Sequence, residues 1–492
     1  MNRALILTTT AVFDRRAEHR LSSPLTIVGG MSLFQRTILT LQRGGITRFM
    51  ILGGDQTEML RDQLQGDRRV TAEVRWLPVR EFPPSDYRTW EIVSGMMGGG
   101  YLVAGTGAIF SAALIARLRE TAQATRAVLV VPNQAMLEKE VSGIGTGPSS
   151  QASEDGVLMV EAPVTAVQEA SALALDLVAI PEGFTAPGWA NIDDCPHPLR
   201  AALERGLRRG QVKVLPLGEQ WYEEVRATGA EALADAQSVI HAEWTLARSL
   251  KGGHEGFIDR YFNRKCSRWL THWFLQTPLT PNAVTLLATA VGLVGAGAFA
   301  VGGYLAGIIG ALLFQLSAIL DCCDGEVARI KFLESRVGEK LDIILDNVVH
   351  IALFAGMAWG VSVGKGGCFG GWASILADPG SLVPETLGVG GCDHRWDFWG
   401  LLFGGLAIFG NVAAFAVVHA AMRLRTDMDH SRRARIDSIL SRLASRDFSV
   451  IVLAFALFGQ IKWFLVLAAI GSNIFWPFLA WQLRSASPVR QR

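Results

Sequence analysis

Hydrophobic positions follow two different patterns along this chain of 492 residues. Over residues 1–250, short apolar runs of strand length alternate with amphipathic stretches of helix length, and charged residues occur throughout. Between Trp269 and Leu320 there is no Asp, Glu, Lys or Arg, which leaves room for two membrane-spanning helices of about 20 residues each. The pattern predicts a soluble domain over residues 1–250 and an integral membrane domain over residues 255–485.

The alternation in the first domain predicts an α/β fold, with a mostly parallel sheet covered by helices. The predicted strands are Ala4–Thr9, Phe49–Gly53, Val74–Val79, Tyr101–Ala104, Ala127–Val131, Val157–Val160, Leu175–Ile180 and Val212–Pro216. The predicted helices are Ser32–Arg43, Glu58–Gln65, Ile109–Glu120, Leu199–Arg209 and Ala230–Leu250.

The second domain is predicted to be all-α, with six membrane spans after an amphipathic helix at the membrane surface. That surface helix covers Asp259–Trp273, where basic residues are interleaved with aromatic ones. The apolar core of the fifth span is short for a full crossing. The predicted spans are Ala283–Tyr304, Leu305–Asp321, Asp342–Val363, Phe398–Met422, Phe448–Ile461 and Trp463–Leu483.

Basic residues between the predicted spans indicate how the chain is oriented. Groups of Arg and Lys occur before the first span, after the second, after the fourth and after the sixth. With six spans these groups share one side, so we expect both termini and the soluble domain to be cytoplasmic, at the cell (inner) membrane. The outward loop over residues 363–397 then holds Cys368 and Cys392, which either form a disulfide or remain free thiols.

Composition excludes several classes of protein. The 46 Lys and Arg residues balance 45 Asp and Glu residues to a net charge of +1, so no basic field indicates a nucleic-acid partner. Only 18% of residues are charged and 50% are hydrophobic, which excludes a disordered chain and agrees with a lipid bilayer as partner. Six Cys are too few for a disulfide scaffold.

Four aspartates stand where the second and third predicted spans meet the polar edge of the bundle. Asp321 and Asp324 are three residues apart, and Asp342 and Asp346 are four apart, so each pair shares one helix face. Each carboxylate costs about 2.5–3.5 kcal/mol to insert, so a positive group must compensate for it. Oxygen-only ligands favour Mg²⁺ or Mn²⁺, and four carboxylates suffice to bridge two such ions for phosphoryl chemistry. In the alternative interpretation the aspartates pair with nearby surface cations, which are Arg329, Lys331 and Lys340.

This segment resembles the signature of the CDP-alcohol phosphotransferase (phosphatidyltransferase) family, D-x2-D-G-x2-A-R-x8-G-x3-D-x3-D. The resemblance covers about residues 255–485, and it includes the six spans and the segment Thr280–Thr285 at the start of the first span. All fixed positions of the signature match, namely Asp321, Asp324, Gly325, Ala328, Arg329, Gly338, Asp342 and Asp346.

The resemblance implies that a phosphoalcohol or phosphatidyl group moves from a CDP-alcohol donor to a hydroxyl acceptor, such as an inositol phosphate, with release of CMP. It implies two divalent ions held by Asp321, Asp324 and Asp342, with Asp346 as a further ligand or as the general base. It also implies a homodimer. The nucleotide-binding residues that it implies are Asn282, Thr285, Gly325, Ala328, Arg329 and Gly338.

Three of these assignments have structural alternatives. Asn282 and Thr285 either contact cytidine or serve as a helix cap and a packing residue. By the same analogy Arg446 binds a phosphate on the acceptor, and its alternative is an anchor at the membrane interface.

Residues 1–240 resemble sugar-phosphate nucleotidyltransferases, most clearly over Val28–Gly54. Fusion of the two domains resembles the bifunctional inositol-phosphate cytidylyltransferase and di-inositol-phosphate-phosphate synthase family, in which the soluble domain makes CDP-inositol. The Gly-rich loop of that family is replaced by Thr8–Phe13, which lacks glycine, and Gly105 is followed by Thr106 where the family has a metal-binding Asp.

Three interpretations follow from these two resemblances. The preferred one is a membrane transferase fused to an inactive, nucleotidyltransferase-like soluble domain. The second is a two-step enzyme that makes its own CDP-alcohol from CTP. The third is a non-catalytic membrane scaffold, against which the intact aspartate signature argues.

Overall fold

The computed structural model describes residues 1–9, 20–122, 126–132, 174–184, 198–228, 233–250, 263–362, 395–424 and 448–486. The chain divides into two compact units, Met1–Ser249 and Leu250–Arg492. The predicted strand Val157–Val160, Arg446, Cys368 and Cys392 lie outside the described residues, so those interpretations stay predictions.

The first unit is built on a seven-stranded sheet. Its strands are β1 (Arg3–Leu7), β5 (Arg48–Gly53), β6 (Glu73–Pro78), β7 (Tyr101–Gly105), β9 (Ala127–Val131), β10 (Leu177–Ile180) and β11 (Val212–Pro216). Their order across the sheet is β11-β9-β10-β7-β1-β5-β6. All neighbours pair in parallel except β10, which runs antiparallel to both β7 and β9. The mostly parallel α/β prediction is therefore confirmed.

Short strands outside the main sheet complete the β structure of this unit. They form two-stranded and three-stranded ribbons in the described part of the chain. The sequence pattern did not predict them, because runs of two or three residues are too short to show alternation. They are β2 (Arg20–Leu21), β3 (Ile27–Val28), β4 (Met31–Ser32), β8 (Ala108–Phe110), β12 (Tyr222–Glu224), β13 (Arg226–Thr228) and β14 (Leu233–Ala234).

Helices cover both faces of the main sheet and enclose two apolar cores. The predicted helix Ile109–Glu120 was wrong at its start, because Ile109 pairs with Glu223 in a strand and Ser111 then caps the helix. The helices are α1 (Leu33–Arg43), α2 (Thr57–Gln65), α3 (Tyr87–Met97), which was not predicted, α4 (Ala112–Thr121), α5 (Pro198–Arg208) and α6 (Ala236–Ser249).

The second unit is helical throughout its described residues. Its first helix corresponds to the predicted surface helix and shows two distinct faces, since Ser267 and Thr271 are buried whereas Trp269 and Trp273 are 65% and 62% exposed. The helices are α7 (Arg264–Leu275), α8 (Pro281–Val301), α9 (Tyr304–Ile330), α10 (Arg336–Ser362), α11 (Arg395–Leu424), α12 (Phe448–Leu457) and α13 (Ile461–Ala486).

Five of these helices, α8, α9, α10, α11 and α13, are long and apolar enough to cross a membrane. An integral membrane protein is thereby confirmed. The predicted fifth span corresponds to α12, whose 10 described residues extend only about 15 Å, roughly half of a bilayer core. The described helices therefore support five of the six predicted spans, and a full crossing by the remaining one stays a prediction.

The two helices that carry the aspartates are longer than predicted. The second predicted span ends at Asp321, whereas α9 continues to Ile330, and α10 begins at Arg336, six residues before Asp342. Apolar periodicity marks only the part of a helix in the membrane, so it misses the polar turns that continue beyond it. As a result, all four aspartates lie inside continuous helices rather than at helix ends.

Close packing of α8 against α10 fixes the helices that surround the site. A Cβ added at Gly356 would lie 2.2 Å from the carbonyl oxygen of Ala296, and one added at Gly360 would lie 2.0 Å from that of Phe299. Only glycine therefore permits this approach, which is the small-residue packing found between membrane helices.

Candidate active site

Three carboxylates converge between α9 and α10. One oxygen from each of Asp321, Asp324 and Asp342 lies within 4.8 Å of the others. Asp324 is buried, with 6% of its surface exposed, and the other two are half-buried. Because Asp321 and Asp324 are three residues apart on a continuous helix, both point toward the same neighbour, and that neighbour supplies Asp342.

The donor set of this three-carboxylate group suits a hard divalent cation. Carboxylate oxygens are the ligands that Mg²⁺ and Mn²⁺ prefer, and three negative charges this close together repel one another without a cation between them. Lys331, one of the surface cations in the alternative interpretation, donates to the carbonyl oxygens of Thr277 at 2.9 Å and Leu279 at 3.3 Å. Asp321, Asp324 and Asp342 therefore form a group that can hold a metal ion.

Asp346 does not belong to the group of mutually close carboxylates. It lies one helical turn beyond Asp342 on α10, and its side chain is 48% exposed. Its Oδ1 atom is 3.8 Å from Nδ1 of His350, whose ring contacts Phe314 and Phe448 edge-on. The spacing predicted four aspartates on two faces, and the structure brings together three of them.

Thr285 binds the most buried of these carboxylates directly. Its hydroxyl donates to Oδ2 of Asp324 at 2.5 Å and lies 3.2 Å from the carbonyl oxygen of Pro281. The helix cap belongs to Thr280, whose side chain accepts from the backbone N–H of Ala283. Thr285 therefore orients one of the three clustered carboxylates, a role that the sequence did not indicate.

A cavity of about 560 Å³ opens onto Asp324 and Asp342. All the residues predicted to bind nucleotide line it, and Arg329 brings a positive charge to the same wall as the carboxylates. The linker between α9 and α10 contributes lining residues that the sequence pattern did not single out. The full lining is Pro281, Asn282, Thr285, Asp324, Gly325, Ala328, Arg329, Leu333, Glu334, Ser335, Arg336, Gly338, Glu339 and Asp342.

The two glycines of the signature differ in what surrounds them. A Cβ at Gly338 would lie 3.0 Å from both Oδ1 of Asn282 and Oγ of Ser335, so glycine allows α8 and α10 to approach there. A Cβ at Gly325 would meet only Arg329, at 3.7 Å. Packing within the chain therefore does not require glycine at position 325, and the missing side chain leaves space in the cavity.

Glu326 is the principal residue near the site that the sequence analysis missed. It occupies a variable position of the signature and is fully buried, and it accepts hydrogen bonds from three side chains of α7. Charged residues are rarely buried unless paired, but sequence alone does not show which face of α9 it occupies. A periodicity count that extended α9 beyond Asp321 would have placed it opposite Asp324.

Replacing Thr285 by Val is expected to weaken divalent metal binding about tenfold, the lower end of the range for groups that orient metal ligands. The change keeps the shape of the side chain and removes the donor to Asp324. Titration of Mn²⁺ into the purified protein, followed by the EPR signal of the free ion, measures this affinity. Thr289→Val is the matched control, because Thr289 donates only one turn away, to the carbonyl oxygen of Thr285. Equal affinities in the two variants would contradict the expectation.

Comparison with known families agrees with this geometry. The CDP-alcohol phosphatidyltransferase family matches residues 278–376, a range that includes the cavity and all four aspartates. This match was expected from the signature alone, and it confirms the family resemblance of the membrane unit.

Two similar proteins carry the same name, "Bifunctional IPC transferase and DIPP synthase". The one from Aquifex aeolicus is 27% identical over 233 residues, which cover 47% of this chain and 45% of that protein. The one from Rubrobacter xylanophilus is 27% identical over 365 residues, which cover 70% of this chain and 75% of that protein. The second alignment is longer than either unit and therefore includes parts of both, whereas the first spans less than half of its relative.

Among solved structures, the inositol-1-phosphate CTP transferase from T. maritima aligns with 49% of this chain and 96% of its own length, at 12% identity and a TM-score of 0.32. The fold of the first unit is established by its own sheet order, and that of the second by its helices and the family match. The second unit of this chain thus contains a domain of the CDP-alcohol phosphatidyltransferase family.

Proposed function

We propose that this protein transfers a phosphoalcohol or phosphatidyl group from a CDP-linked donor to a hydroxyl acceptor and releases CMP. The observation that carries the proposal is the three-carboxylate group of Asp321, Asp324 and Asp342 beside a cavity lined by Arg329. Such a site suits a pyrophosphate, because a cation between the carboxylates and a guanidinium together bind its negative oxygens. The names of the two relatives support an inositol phosphate as the acceptor.

The chain's own residues account for the steps of this reaction. Arg329 holds the donor phosphate, Gly325 leaves room for the nucleotide, and Asn282 lines the same cavity. Asp346, half-exposed and outside the three-carboxylate group, takes the proton from the acceptor hydroxyl. The acceptor oxygen forms a bond to the β-phosphorus, the bond from that phosphorus to the bridging oxygen breaks, and CMP leaves with the bonding electrons.

Two Mg²⁺ or Mn²⁺ ions are the cofactors that we propose. Divalent ions bound at this site would neutralise the charge that develops on the leaving phosphate. Asp321, Asp324 and Asp342 would hold them, and Thr285 keeps Asp324 in the orientation for that role. The carboxylate-only donor set supports a hard ion over a thiophilic one.

For the soluble unit we propose an inactive domain that serves in docking or regulation. Thr106, which stands where the related enzymes have a metal-binding Asp, is buried and its hydroxyl lies 3.4 Å from the carbonyl oxygen of Leu7. Thr106 itself therefore supplies no carboxylate, although the buried side chain of Asp176 lies against the neighbouring Gly105. Glu223 is an acidic residue near the end of the first unit. Burial raises the pKa of its carboxyl group, and Nε2 of His241 lies 3.7 Å from that group. Glu223 therefore contacts another side chain of the same unit.

Location and assembly also belong to the proposal. With α12 counted as the sixth crossing, the distribution of Arg and Lys supports both termini and the first unit in the cytoplasm, and we propose the cell (inner) membrane as the location. The homodimer implied by the family resemblance and the lack of a nucleic-acid partner remain predictions.

Release of CMP by the purified full chain tests the transfer reaction. Donors such as CDP-diacylglycerol and CDP-inositol are combined with acceptors such as inositol phosphate and glycerol phosphate, in detergent with Mg²⁺. We expect CMP only when a donor and its acceptor are both present, and none from the Asp342→Asn variant. A folded protein that releases no CMP from any pair would favour the non-catalytic scaffold.

The soluble unit is tested separately by supplying CTP and inositol phosphate to the same preparation. We expect no pyrophosphate to be released. Release of pyrophosphate would establish the two-step enzyme and overturn the inactive-domain proposal, while leaving the transfer reaction of the membrane unit unaffected.

A further inference from the structure

Glu326 is completely buried on the face of α9 that contacts α7, and its carboxylate bonds to three side chains of that helix. Its Oε1 accepts from Nη1 of Arg264 at 2.9 Å and from the hydroxyl of Ser267 at 3.0 Å. Its Oε2 accepts from the hydroxyl of Thr271 at 2.7 Å. Both carboxylate oxygens are thus bonded, and the charge is balanced by a guanidinium whose side chain is only 12% exposed.

This arrangement is an expensive way to hold two helices together. Removing a carboxylate and a guanidinium from water costs several kcal/mol per ion, and replacing such pairs by well-packed apolar residues is often neutral or stabilising. Stability alone therefore does not account for a buried ion pair at this position. The ion pair differs from apolar packing in that its three hydrogen bonds are directional. These bonds allow only one rotation of α9 about its axis against α7.

The rotation of α9 also determines where its aspartates point, because Glu326 lies on the same helix as Asp321 and Asp324. Asp324 precedes Glu326 by two residues, about 200° around the helix axis, so the two carboxylates face opposite sides of α9. Asp321 lies on the same side as Asp324. A turn of α9 by one residue, about 100°, would move Asp321 and Asp324 away from Asp342 while it broke the contacts with α7.

α9 and the region of α7 make polar contacts besides those of Glu326. Sγ of Cys323, next to Asp324, is only a weak donor and lies 3.5 Å from the carbonyl oxygen of Ser267, whereas a shorter bond lies farther from the aspartates. Nε2 of Gln315 donates to Oδ1 of Asn263 at 2.6 Å, and both side chains are buried. Gln315 precedes Asp324 by nine residues, about 14 Å along the axis. Glu326 is within one turn of Asp324, so its contacts bear most directly on how the carboxylates point.

We infer that Glu326 is a positioning residue for the metal-binding carboxylates, and that its bonds to Arg264, Ser267 and Thr271 set the rotation of α9 that closes the site. The inference rests on the proposed metal site, although not on the identity of the donor or acceptor. It assigns α7 a part in the reaction without any contact with the substrate.

Glu326→Gln is the first test, because it preserves the volume of the side chain and removes its charge. The largely buried charge of Arg264 then loses the negative charge of Glu326, so α9 is expected to rotate or shift toward a new arrangement. We expect Mn²⁺ affinity, measured by the EPR signal of the free ion in detergent, to fall about 10- to 100-fold. Thr271→Val removes one donor only, and a smaller loss in the same direction is expected.

The matched control is Gln315→Met, which breaks a buried hydrogen bond of the same helix bundle far from the aspartates. If the contacts of Glu326 only stabilised the fold, Glu326→Gln and Gln315→Met would both lower thermal stability without changing Mn²⁺ affinity. Unchanged Mn²⁺ affinity in folded Glu326→Gln and Thr271→Val, or an equal loss in Gln315→Met, would overturn the inference. Failure of the unmodified protein to bind Mn²⁺ would instead overturn the metal site itself, so the two failures are distinguishable.

Discussion

Asp324→Asn is expected to lower the rate of CMP release at least about 1,000-fold, the equivalent of about 4 kcal/mol of transition-state stabilisation. Asp324 is the most buried of the three carboxylates, and it is the one whose orientation Thr285 fixes. The amide is uncharged, so it holds a divalent cation weakly at a position where charge develops on the leaving phosphate. The rate is measured at saturating donor and acceptor, across a range of Mg²⁺ concentrations.

A loss of negative charge near the cavity has to be separated from the loss of a ligand. Glu339 also lines the cavity, but it does not belong to the three-carboxylate group, so Glu339→Gln is the matched control. We expect the control to remain within about tenfold of the unmodified protein, since an exposed charge contributes little in water. Similar rates for Asp324→Asn and Glu339→Gln would refute the role of Asp324.

Asp346→Asn is expected to lower the rate by about 10²- to 10⁴-fold, the usual contribution of a general base. Metal affinity should change much less, within about threefold, because Asp346 lies outside the group of mutually close carboxylates. The separation of rate from affinity is the informative result. It requires the CMP assay and the Mn²⁺ titration on the same preparation.

Two outcomes would revise the role of Asp346. If Mn²⁺ affinity falls together with the rate, Asp346 is a ligand, which is the alternative that the spacing left open. If the rate is retained, the acceptor proton leaves by another route and the proposed base is wrong. Asp346→Glu serves as the matched variant, because it restores a carboxylate on the same face of α10 and should recover part of the rate.

Most of the secondary structure in the described residues was predictable from the sequence. Short apolar runs placed the ends of the seven main-sheet strands within two residues, because buried parallel strands leave a continuous apolar signature. Ribbons of two or three residues, such as β12, were missed because they are held by pairing with a distant segment rather than by their own pattern. The start of α4 was misplaced for the same reason.

The site divides in a similar way. The spacing of Asp321, Asp324 and Asp342 indicated a metal-binding group, since helical periodicity alone determines which residues share a face. Helical periodicity also grouped Asp346 with the other three aspartates, because periodicity carries no information about distances between helices. Only the packing of α9 against α10 shows that three carboxylates converge and that the fourth lies one turn away.

The sequence by itself determined the division into two domains, the chemical class of the second and the identity of its acidic residues, because composition, span length and helical spacing are properties of neighbouring positions. The tertiary structure decided how far α9 and α10 extend beyond the apolar stretch, that Thr285 binds Asp324, and that Glu326 faces α7. Each of these depends on which helix faces which, and the free energy that selects among such arrangements comes from contacts between residues far apart in the chain.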